Sequence, residues 1–374
     1  MTLGRSLRAD ELARPSPCTE LLRVIEGSAS TLVEFVDSHS VELRALMHHH
    51  GVLLLRGFAD VTAESFGVAA RGLLGELSEY PFFTGNYRSQ MAPGVVASSS
   101  VAPQLPVVPH TEQSFNRRRP RTLGFCCLEP ATAGGHTALH DMAAVWEHMP
   151  EAMAALLRWA SIGKRTKALD ERGRRNLFGD ASLSQIETIC AEYGADCMID
   201  DGRVAIATRG PCVVRHPETG ASCFCAFSST IDAFYDFFGD PWLARYPGSS
   251  STIRWLAKAP YPLFRLLVRR ASAHFRSENL YFFEREGRPL ELPRSLHRET
   301  NRLLWEHSLL WSWQRRDVIF LDNIRVGHAR MPYVGAQRSL AAVVGPCYDA
   351  DEPAYRVVDV ARPRPRAAEA DSSA

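Results

Sequence analysis

The sequence predicts a mainly antiparallel β fold with helices packed around it, and three observations favour this class. Between residues 95 and 142 the chain breaks into short apolar runs, such as GVVASSS, TLGFCCLEP and GGHTALHD, which Pro, Gly and Ser separate. Strand-like segments return at RVAIA, CVVRHPETG and ASCFCAF, where HPETG is a turn signal. Near the end, DVIFLDN and RSLAAVVG again have strand character. Short strands with turn residues between them are typical of a sandwich or a barrel.

Helices are predicted before, between and after these strands. Residues 31–50 repeat apolar side chains at helical spacing and lead into GVLLLRGF, a glycine-bounded apolar run that predicts a buried strand. Residues 62–77 form a second predicted helix with Thr62 as its N-cap, and residues 142–160 form a third. A helical insert is predicted at about 230–310 from segments such as DAFYDFFGD and SLHRETNRLLWEHS.

The 374 residues suit one large domain or two of ordinary size. We expect a single domain at 21–360 that includes the helical insert, because the strand-like segments follow one another without an internal repeat. A flexible N-terminal arm is expected at 1–20, and a disordered tail rich in Pro, Arg and Ala at 361–374.

The composition is that of an ordinary globular protein, with 45% hydrophobic and 23% charged residues. A net charge of +1 gives no electrostatic reason for nucleic acid or an anionic membrane as a partner. No apolar run of about 18 residues and no secretory signal is visible, so we expect a cytoplasmic location. The 9 cysteines lack paired C-x-x-C spacing and are expected to be reduced thiols.

Two tracts of charged or titratable residues have a structural interpretation. His48, His49 and His50 end the first predicted helix, where polar or cationic side chains suit the helix dipole, so we do not assign them to a metal. The run Arg117-Arg118-Arg119 is expected to form an exposed loop, which is a candidate docking surface for a carrier domain.

A metal site is indicated by two short motifs that lie far apart in the chain. In Pro109-His110-Thr111-Glu112, the side chains of His110 and Glu112 share one face of an extended segment and can bind one ion together. An H-x-E motif alone is weak evidence, because a solvated surface pair has the same spacing. More than two hundred residues later, an apolar strand ends at Asp322-Asn323 and Gly327-His328 places an imidazole at the start of a loop.

Together, His110, Glu112 and His328 would form a 2-His-1-carboxylate triad, which leaves coordination positions open on a non-haem iron. Arg338 begins the next apolar strand and would face the same cavity across an antiparallel pair. Its guanidinium suits a carboxylate, because it donates two parallel hydrogen bonds in a fixed plane.

The order and spacing of these motifs resemble the taurine dioxygenase and clavaminate synthase group of 2-oxoglutarate oxygenases, nearest to the branch of the syringomycin-type aspartyl hydroxylases. The resemblance covers about residues 45–345 and includes GVLLLRGF, the H-x-E motif, EPATAGGHTALHD, the HPETG turn and the final His–Arg block. It implies a distorted double-stranded β-helix, which is a cupin-like jelly roll. It also implies iron(II) as cofactor, 2-oxoglutarate as cosubstrate and O₂ as oxidant.

The resemblance implies roles for individual residues as well. His110, Glu112 and His328 match the iron ligands of the family, and Arg338 matches the arginine that binds the distal carboxylate of 2-oxoglutarate. Thr137, which lies 27 residues after His110, matches a hydroxyl that binds the same carboxylate.

Three further residues are expected near the substrate. Ser100 matches a position that contacts the amino-acid substrate in related hydroxylases, although the neighbouring Ser98 and Ser99 are alternatives. Arg330 and Arg88 are the other two, and each has a solvated surface role as its alternative.

Departures from the family pattern bear on the substrate and the reaction. Ala342 stands where some relatives have a second arginine, which argues against a taurine-like sulfonate. Phe224-Cys225-Ala226 replaces the F-N-Q that hydroxylases of this branch often carry, so the pocket wall is expected to differ. Glu112 occupies the position where the halogenases of this superfamily have a small residue, which favours hydroxylation over halogenation.

The sequence therefore predicts hydroxylation of an aliphatic C–H bond of an amino-acid-like substrate in natural-product biosynthesis. The substrate is either free or presented on a peptide carrier protein. Desaturation or cyclisation with the same cofactors is one alternative. A catalytically silent scaffold that binds a small carboxylate or a partner protein is the other.

Overall fold

The structure is a computed structural model, and we describe the well-placed part of the chain. These residues are 3–27, 30–79, 88–98, 101–166, 168–225, 235–236, 242, 246–249, 255, 258–271, 279–335 and 338–357. The predicted tail at 361–374 and parts of the predicted insert lie outside them.

Eight α-helices have bounds within the described ranges. They are α1 (Leu32–His50), α2 (Ala63–Leu74), α3 (Met142–Glu147), α4 (Glu151–Leu157), α5 (Glu171–Phe178), α6 (Leu183–Glu192), α7 (Tyr261–Ala271) and α8 (Arg294–Glu306).

The strands are short and numerous, as the short apolar runs between turn residues predict. They are β1 (Leu22–Glu26), β2 (Val52–Arg56), β3 (Gln90–Ala92), β4 (Val95–Ala97), β5 (Val107–His110), β6 (Arg118–Pro120), β7 (Thr122–Glu129), β8 (Ala133–Gly134), β9 (Thr137–Asp141), β10 (Ala160–Thr166), β11 (Asp196–Asp200), β12 (Arg203–Pro211), β13 (Val213–Arg215), β14 (Ser222–Phe224), β15 (Asn279–Arg285), β16 (Arg288–Pro289), β17 (Ser308–Trp311), β18 (Val318–Asp322), β19 (Val326–Arg330), β20 (Tyr333–Val334), β21 (Ser339–Val344) and β22 (Cys347–Asp349).

Three large sheets contain most of these strands, and the others form two-stranded sheets. A seven-stranded sheet has the order β1-β2-β18-β7-β21-β4-β3, and its pairs are antiparallel except for β1 with β2. A four-stranded antiparallel sheet has the order β17-β9-β19-β5, and a five-stranded antiparallel sheet has the order β11-β12-β10-β15-β16. The fold is therefore mainly β with surrounding helices, as predicted.

The seven-stranded and four-stranded sheets face each other across one hydrophobic core. Ile319 and Leu321 of β18 pack there with Leu139 of β9 and Trp311 of β17. Val318 and Phe320 of β18 point to the opposite face, where α1 and α2 cover the seven-stranded sheet. Alternate side chains of β18 thus pack in two different cores. Both faces of the strand are buried, which explains why its sequence is a continuous apolar run.

Local signals account for the two helices on this face. Thr31 caps α1 and forms a capping box with Glu34, and Gly51 ends the helix with a φ of 99°. Thr62 caps α2 in the same way, as the sequence predicts. The tract His48–His50 ends α1, where the His50 Nδ1 atom bonds the Glu20 carbonyl oxygen at 2.8 Å.

Several expectations about elements need correction. The predicted helix at 142–160 is two short helices, α3 and α4, because Pro150 begins a new helix; β10 then starts at Ala160. The described part of the insert contains α7 and α8 but also β15, which pairs with β10 in the five-stranded sheet. His328 lies inside β19, not at the start of a loop, because its strand pairs on both sides.

The N-terminal segment, which we expected to be a flexible arm, is packed where the structure describes it. Arg5 forms a β-bridge with Val24, and Leu12 forms one with Trp311. Leu7 is buried in the core between the sheets. These apolar and backbone contacts hold the segment against the fold.

All nine cysteines have free thiols, and six of them are buried. Burial raises the pKa of Cys190 to about 12, so its thiol stays protonated at neutral pH. Within the described part of the chain, no helix is long and apolar enough to cross a membrane.

Candidate active site

Two imidazoles and one carboxylate converge at the pair of strands β5 and β19. His110 lies directly opposite His328 in the antiparallel register, and their ring centroids are 4.3 Å apart. The Glu112 Oε2 atom is 3.7 Å from His110 Nε2 and 4.0 Å from His328 Nε2. One donor atom from each residue lies within 4.8 Å of the others, and all three residues are buried. The arrangement suits one small metal ion.

Hydrogen bonding orients the first imidazole toward this point. His110 Nδ1 lies 2.8 Å from the carbonyl oxygen of Val108, so Nδ1 carries the proton and donates it. Nε2, the nitrogen that faces Glu112, is then the ring atom that is left for a metal. A backbone acceptor of this kind fixes the tautomer and the ring angle of a metal-binding histidine. The His328 ring instead packs against Phe125, with centroids 5.3 Å apart.

The charge state of the site suits metal binding. Burial raises the pKa of Glu112, but the nearby imidazole of His110, whose Nε2 atom is 3.7 Å from Oε2, and the charge of Arg88 outweigh burial and lower the pKa to about 2. Burial and the neighbouring His110 hold the pKa of His328 well below its usual range. Glu112 is therefore anionic and His328 neutral at neutral pH, which are the forms that ligate metals.

A buried amide joins the two chain segments that carry the triad. The side-chain Oδ1 atom of Asn323 accepts a hydrogen bond from the Glu112 backbone N–H at 2.8 Å. Its Nδ2 atom donates to the carbonyl oxygens of Glu112 at 3.2 Å and Pro120 at 2.9 Å. Asn323 is only 2% exposed. The sequence identifies Asp322-Asn323 as a turn but gives no sign that Asn323 braces the segment after β5.

The neighbouring Asp322 anchors the HPETG turn. The hairpin of β13 and β14 places His216 in the interior, where its Nε2 atom is 2.9 Å from Asp322 Oδ2. Arg121 lies 3.3 Å from the same oxygen. Burial raises the pKa of Asp322, but His216, His48 and Arg121 together lower it far below its usual range. The HPETG motif therefore has a structural role here, since it holds the turn that precedes β19.

Arg338 lies at the head of β21 in a largely buried position. Its Nη2 atom donates to the carbonyl oxygen of Gly135 at 3.4 Å, and its guanidinium lies 5.0 Å from the ring centroid of Tyr333. Among the described residues, no carboxylate is within ion-pair distance of it. Burial lowers the pKa of Arg338, since a guanidinium is more costly to charge away from water.

Gly135 makes room for this guanidinium. Its φ of 69° is in the left-handed region, and a Cβ atom there would lie 3.2 Å from Arg338 Nε and 3.0 Å from Ala131 Cβ. A side chain at position 135 would therefore be strained and would press on Arg338. The chain then enters β9 at Thr137, whose hydroxyl accepts a hydrogen bond from Trp313 Nε1 at 2.9 Å. With Oγ1 thus held, the Thr137 hydroxyl hydrogen is available to a further acceptor.

The three residues expected near the substrate have different surroundings. Arg330 is buried and donates to the carbonyl oxygens of Val101, Ala102 and Leu105 at 2.9, 2.9 and 2.6 Å, so its guanidinium holds the 101–105 loop. Arg88 donates to the Ser98 carbonyl oxygen, and its charge acts on Glu112 and His328. Ser100 lies outside the described residues.

The expectation of an exposed arginine loop at 117–119 is wrong for Arg119. This residue is 1% exposed, since it lies in β6 with its side chain directed inward. Arg119 Nε donates to the Asn116 carbonyl oxygen at 2.7 Å, and Nη2 donates to that of Pro211 at 2.9 Å. Its guanidinium therefore ties the segment after Glu112 to β12. The run is not a continuous docking surface.

One buried cation near the site was missed by sequence reasoning. Lys164 lies in β10, is 5% exposed, and its Nζ atom is 5.1 Å from the centroid of the Phe115 ring and 5.8 Å from that of Tyr281. Burial lowers the pKa of Lys164 to about 8, while the charge of Glu112 opposes this shift. No local signal in SIGKRTK indicates this position, since the strand that faces it comes from another part of the chain.

A mostly β fold that presents two histidines and one carboxylate to a common point is typical of the non-haem iron oxygenases. The family model described as "Taurine catabolism dioxygenase TauD, TfdA family" matches residues 17–344. The chain belongs to this family of iron(II)- and 2-oxoglutarate-dependent oxygenases. The predictions of the family and of its cofactors, iron(II), 2-oxoglutarate and O₂, are confirmed.

Two relatives match nearly the whole chain. The dapdiamide synthesis protein DdaC of Enterobacter agglomerans is 23% identical over 362 residues, which are 94% of this chain and 98% of that protein. A clavaminate synthase-like protein of Arabidopsis thaliana is 24% identical over 342 residues, 88% of this chain and 92% of that protein.

A solved structure resembles the fold as well. The crystal structure of the PvcB protein from Pseudomonas aeruginosa has a TM-score of 0.50 and 17% sequence identity, and the match covers 91% of this chain and 90% of that one. At this identity the likeness concerns the fold alone.

Proposed function

We propose that the chain hydroxylates an aliphatic C–H bond of an amino-acid-like substrate, with iron(II) and 2-oxoglutarate. The observation that carries this proposal is the convergence of His110, Glu112 and His328, whose donor atoms lie within 4.8 Å of one another. These residues are proposed as the iron ligands. The donor set fits the metal, because two imidazoles and one carboxylate leave coordination positions open for the cosubstrate and O₂.

The fold that holds this site is proposed to be a distorted double-stranded β-helix within one domain. The seven-stranded and four-stranded sheets would form its two halves, since they share one core and the triad lies on β5 and β19 of the smaller sheet. Residues 21–360 would make up that domain.

Arg338 and Thr137 are proposed to bind the distal carboxylate of 2-oxoglutarate. Arg338 is a buried cation without a described carboxylate partner, and the Thr137 hydroxyl is positioned by Trp313. A guanidinium and a hydroxyl directed at one carboxylate would fix the length and the orientation of the cosubstrate. The bound metal and 2-oxoglutarate together supply the activation of O₂ that an aliphatic C–H bond requires. The protein holds the reactants in place and excludes water.

The carboxylate of Glu112 favours hydroxylation over halogenation, because it fills the metal position that a halide would need. Desaturation and cyclisation use the same ligands and stay as alternatives. The mass of the product separates them, since hydroxylation adds one oxygen atom, whereas desaturation and cyclisation each remove two hydrogen atoms.

The substrate class is proposed from the relatives and from the site. DdaC is named for the synthesis of dapdiamide, which supports a role in natural-product biosynthesis. Arg88 is retained as a proposed substrate residue, because its positive charge lowers the pKa of Glu112. Ser100 is retained from the family pattern. Arg330 is proposed to act indirectly, because three backbone carbonyls engage its guanidinium. The substrate is free or bound to a carrier protein.

Anaerobic spectroscopy tests the central proposal. Wild-type protein with iron(II) and 2-oxoglutarate should show the weak visible charge-transfer band of the chelated cosubstrate. His328→Ala should abolish the band, whereas the matched control His49→Ala, in the exposed position of the tract at the end of α1, should keep it. Arg338→Ala should raise the 2-oxoglutarate concentration that the band requires.

The silent-scaffold alternative makes the opposite prediction. A folded wild-type protein that shows no band with iron(II) and 2-oxoglutarate would support the scaffold and contradict the oxygenase. A band that survives His328→Ala would refute the ligand assignment.

A further inference from the structure

Two guanidinium groups lie over one aromatic ring beside the proposed cosubstrate site. The Cζ atom of Arg338 is 5.0 Å from the centroid of the Tyr333 ring, and the Cζ atom of Arg330 is 5.2 Å from the same centroid. Both distances are within the range of a cation–π contact, in which the negative face of a ring attracts a cation. The proposed metal and cosubstrate sites leave this ring without a role.

The backbone that carries the ring is held from several directions. The Tyr333 N–H donates to the carbonyl oxygen of Pro103 at 3.0 Å, and the strand pair β8–β20 places Tyr333 directly opposite Gly134. Gly248 packs so closely that a Cβ atom there would lie 2.6 Å from the Tyr333 nitrogen. The ring therefore projects from a part of the chain that has little freedom to move.

The two cations over this ring serve different parts of the site. Arg338 is proposed for the distal carboxylate of 2-oxoglutarate. Arg330 donates to three carbonyl oxygens of the 101–105 loop, at 2.9, 2.9 and 2.6 Å. This loop follows Ser100, a proposed substrate residue, and leads into β5, which ends at His110. One ring thus contacts the side chain assigned to the cosubstrate and the side chain that holds the loop before a metal ligand.

Two like charges near one ring also repel each other. Burial, together with the charge of Arg338, lowers the pKa of Arg330 to about 10. The negative face of the ring offsets part of this repulsion, which is weakly screened away from water. When an anion binds Arg338, the repulsion falls, and Arg330 is then held more firmly on its carbonyl acceptors. Cosubstrate binding is thereby linked to the order of the 101–105 loop.

We propose that Tyr333 is a positioning residue, whose ring fixes the Arg338 guanidinium for 2-oxoglutarate and the Arg330 guanidinium on the 101–105 loop. This proposal rests on the proposed function, since it takes Arg338 as the group that binds the cosubstrate. It adds that a carboxylate bound at Arg338 makes the 101–105 loop more rigid. The link depends on the face of the ring and does not need the Tyr333 hydroxyl.

Two substitutions separate the face of the ring from the bulk of the side chain. Tyr333→Phe keeps the ring and removes the hydroxyl, whereas Tyr333→Leu removes the ring and keeps an apolar side chain. Tyr261→Leu in α7 is the matched control, because the Cζ atom of Arg294 is 3.9 Å from the centroid of the Tyr261 ring. The anaerobic charge-transfer band with iron(II) measures 2-oxoglutarate binding, and electron paramagnetic resonance of Mn(II) measures metal affinity without cosubstrate.

Tyr333→Leu should raise the 2-oxoglutarate concentration that gives half of the band about tenfold, the size expected when a poorly solvated cation–π contact is lost. Tyr333→Phe and Tyr261→Leu should match wild type in this concentration, and all three variants should bind Mn(II) as wild type does. An unchanged 2-oxoglutarate requirement in Tyr333→Leu, or an equal loss in Tyr333→Phe, would overturn the positioning of Arg338 by the ring.

Hydrogen–deuterium exchange of the 101–105 backbone tests the link to Arg330. Without 2-oxoglutarate, the loop should exchange faster in Tyr333→Leu than in wild type or Tyr333→Phe, because Arg330 is less well held. With Mn(II) and 2-oxoglutarate at saturation for each protein, exchange should slow in wild type and Tyr333→Phe but not in Tyr333→Leu. Equal exchange in wild type and Tyr333→Leu under both conditions would overturn the link.

The proposed function fails in a different way. A folded wild-type protein without the band at any 2-oxoglutarate concentration would refute the proposed function and, with it, the part of the proposal that concerns Arg338. The exchange comparison without 2-oxoglutarate would still decide whether the Tyr333 ring holds Arg330 on the loop.

Discussion

The brace that Asn323 forms between the two halves of the triad gives the most informative prediction. Asn323→Ala removes one acceptor and one donor group that together make three hydrogen bonds, to the Glu112 N–H, the Glu112 carbonyl and the Pro120 carbonyl. All three backbone groups are left without this partner in a buried place. At about 1 kcal/mol or more for each, the free energy of unfolding should fall by about 3 kcal/mol.

The same change should weaken metal binding, because the Glu112 backbone is no longer held against the turn that precedes β19. Loss of an outer contact of this kind typically reduces metal affinity by about 10–100-fold. We expect an effect of this size on the Mn(II) dissociation constant, measured by electron paramagnetic resonance. Urea unfolding gives the change in stability.

Two control variants separate positioning from general destabilisation. Asn301→Ala removes one amide hydrogen bond, which Asn301 Nδ2 donates to the Asp236 carbonyl oxygen at 3.3 Å. The free energy of unfolding should fall by under about 1 kcal/mol, and the Mn(II) affinity should not change. Leu73→Ala leaves a cavity in the core under α2. It should lower the free energy of unfolding by about 2–5 kcal/mol, also without a change in Mn(II) affinity. If Asn323→Ala bound Mn(II) as tightly as Leu73→Ala does, the positioning role of Asn323 would be refuted.

Two further predictions concern the surroundings of the triad. Asp322→Asn breaks a buried charge cluster with His216 and Arg121 and should lower the unfolding free energy by about 3–5 kcal/mol at neutral pH. Burial raises the pKa of Asp322, but the effect of its partners is larger, so the pKa in the folded protein lies below the ordinary value of 3.8. The carboxylate therefore stabilises the fold fully above pH 3.8, and this stabilisation is lost as the pH falls through the folded-state pKa. The stability difference between wild type and Asp322→Asn, measured by urea unfolding, should therefore shrink below that pH; a constant difference would contradict the assignment. Thr137→Val should raise the 2-oxoglutarate concentration that gives half of the charge-transfer band roughly tenfold, and should leave the Trp313 N–H unpaired at a cost of about 1–3 kcal/mol. Adding Trp313→Phe should recover part of the stability but not the cosubstrate affinity; an unchanged 2-oxoglutarate requirement in Thr137→Val would exclude its hydroxyl from the site.

Local sequence patterns determined most of the elements that frame the site. The capping residues Thr31 and Thr62 fixed the starts of α1 and α2, and the apolar run of β18 was predicted as a strand. The two-residue spacing of His110 and Glu112 predicted that both side chains face one ion. These signals are local because capping, turn formation and strand alternation depend on residues that are close in the chain.

Other features depended on pairing between distant segments. Residues 279–285 were expected to be helical, yet they form β15 because β10 offers them an antiparallel partner. His328 was expected at the start of a loop but lies inside β19, between β5 and β9. Hydrophobic pattern alone does not distinguish these outcomes, since tertiary pairing decides whether a short apolar segment becomes a strand.

By itself, the sequence determined the family, the mainly β class and the three proposed metal ligands, because these follow from the order and spacing of residue types. Only the tertiary structure decided which other side chains surround them. Asn323 braces Glu112, Arg330 is engaged by backbone carbonyls, and Lys164 packs over the Phe115 ring from a separate sheet. The physical reason is that a side chain's role depends on what lies within a few ångströms of it, and here those neighbours come from segments far apart in the chain.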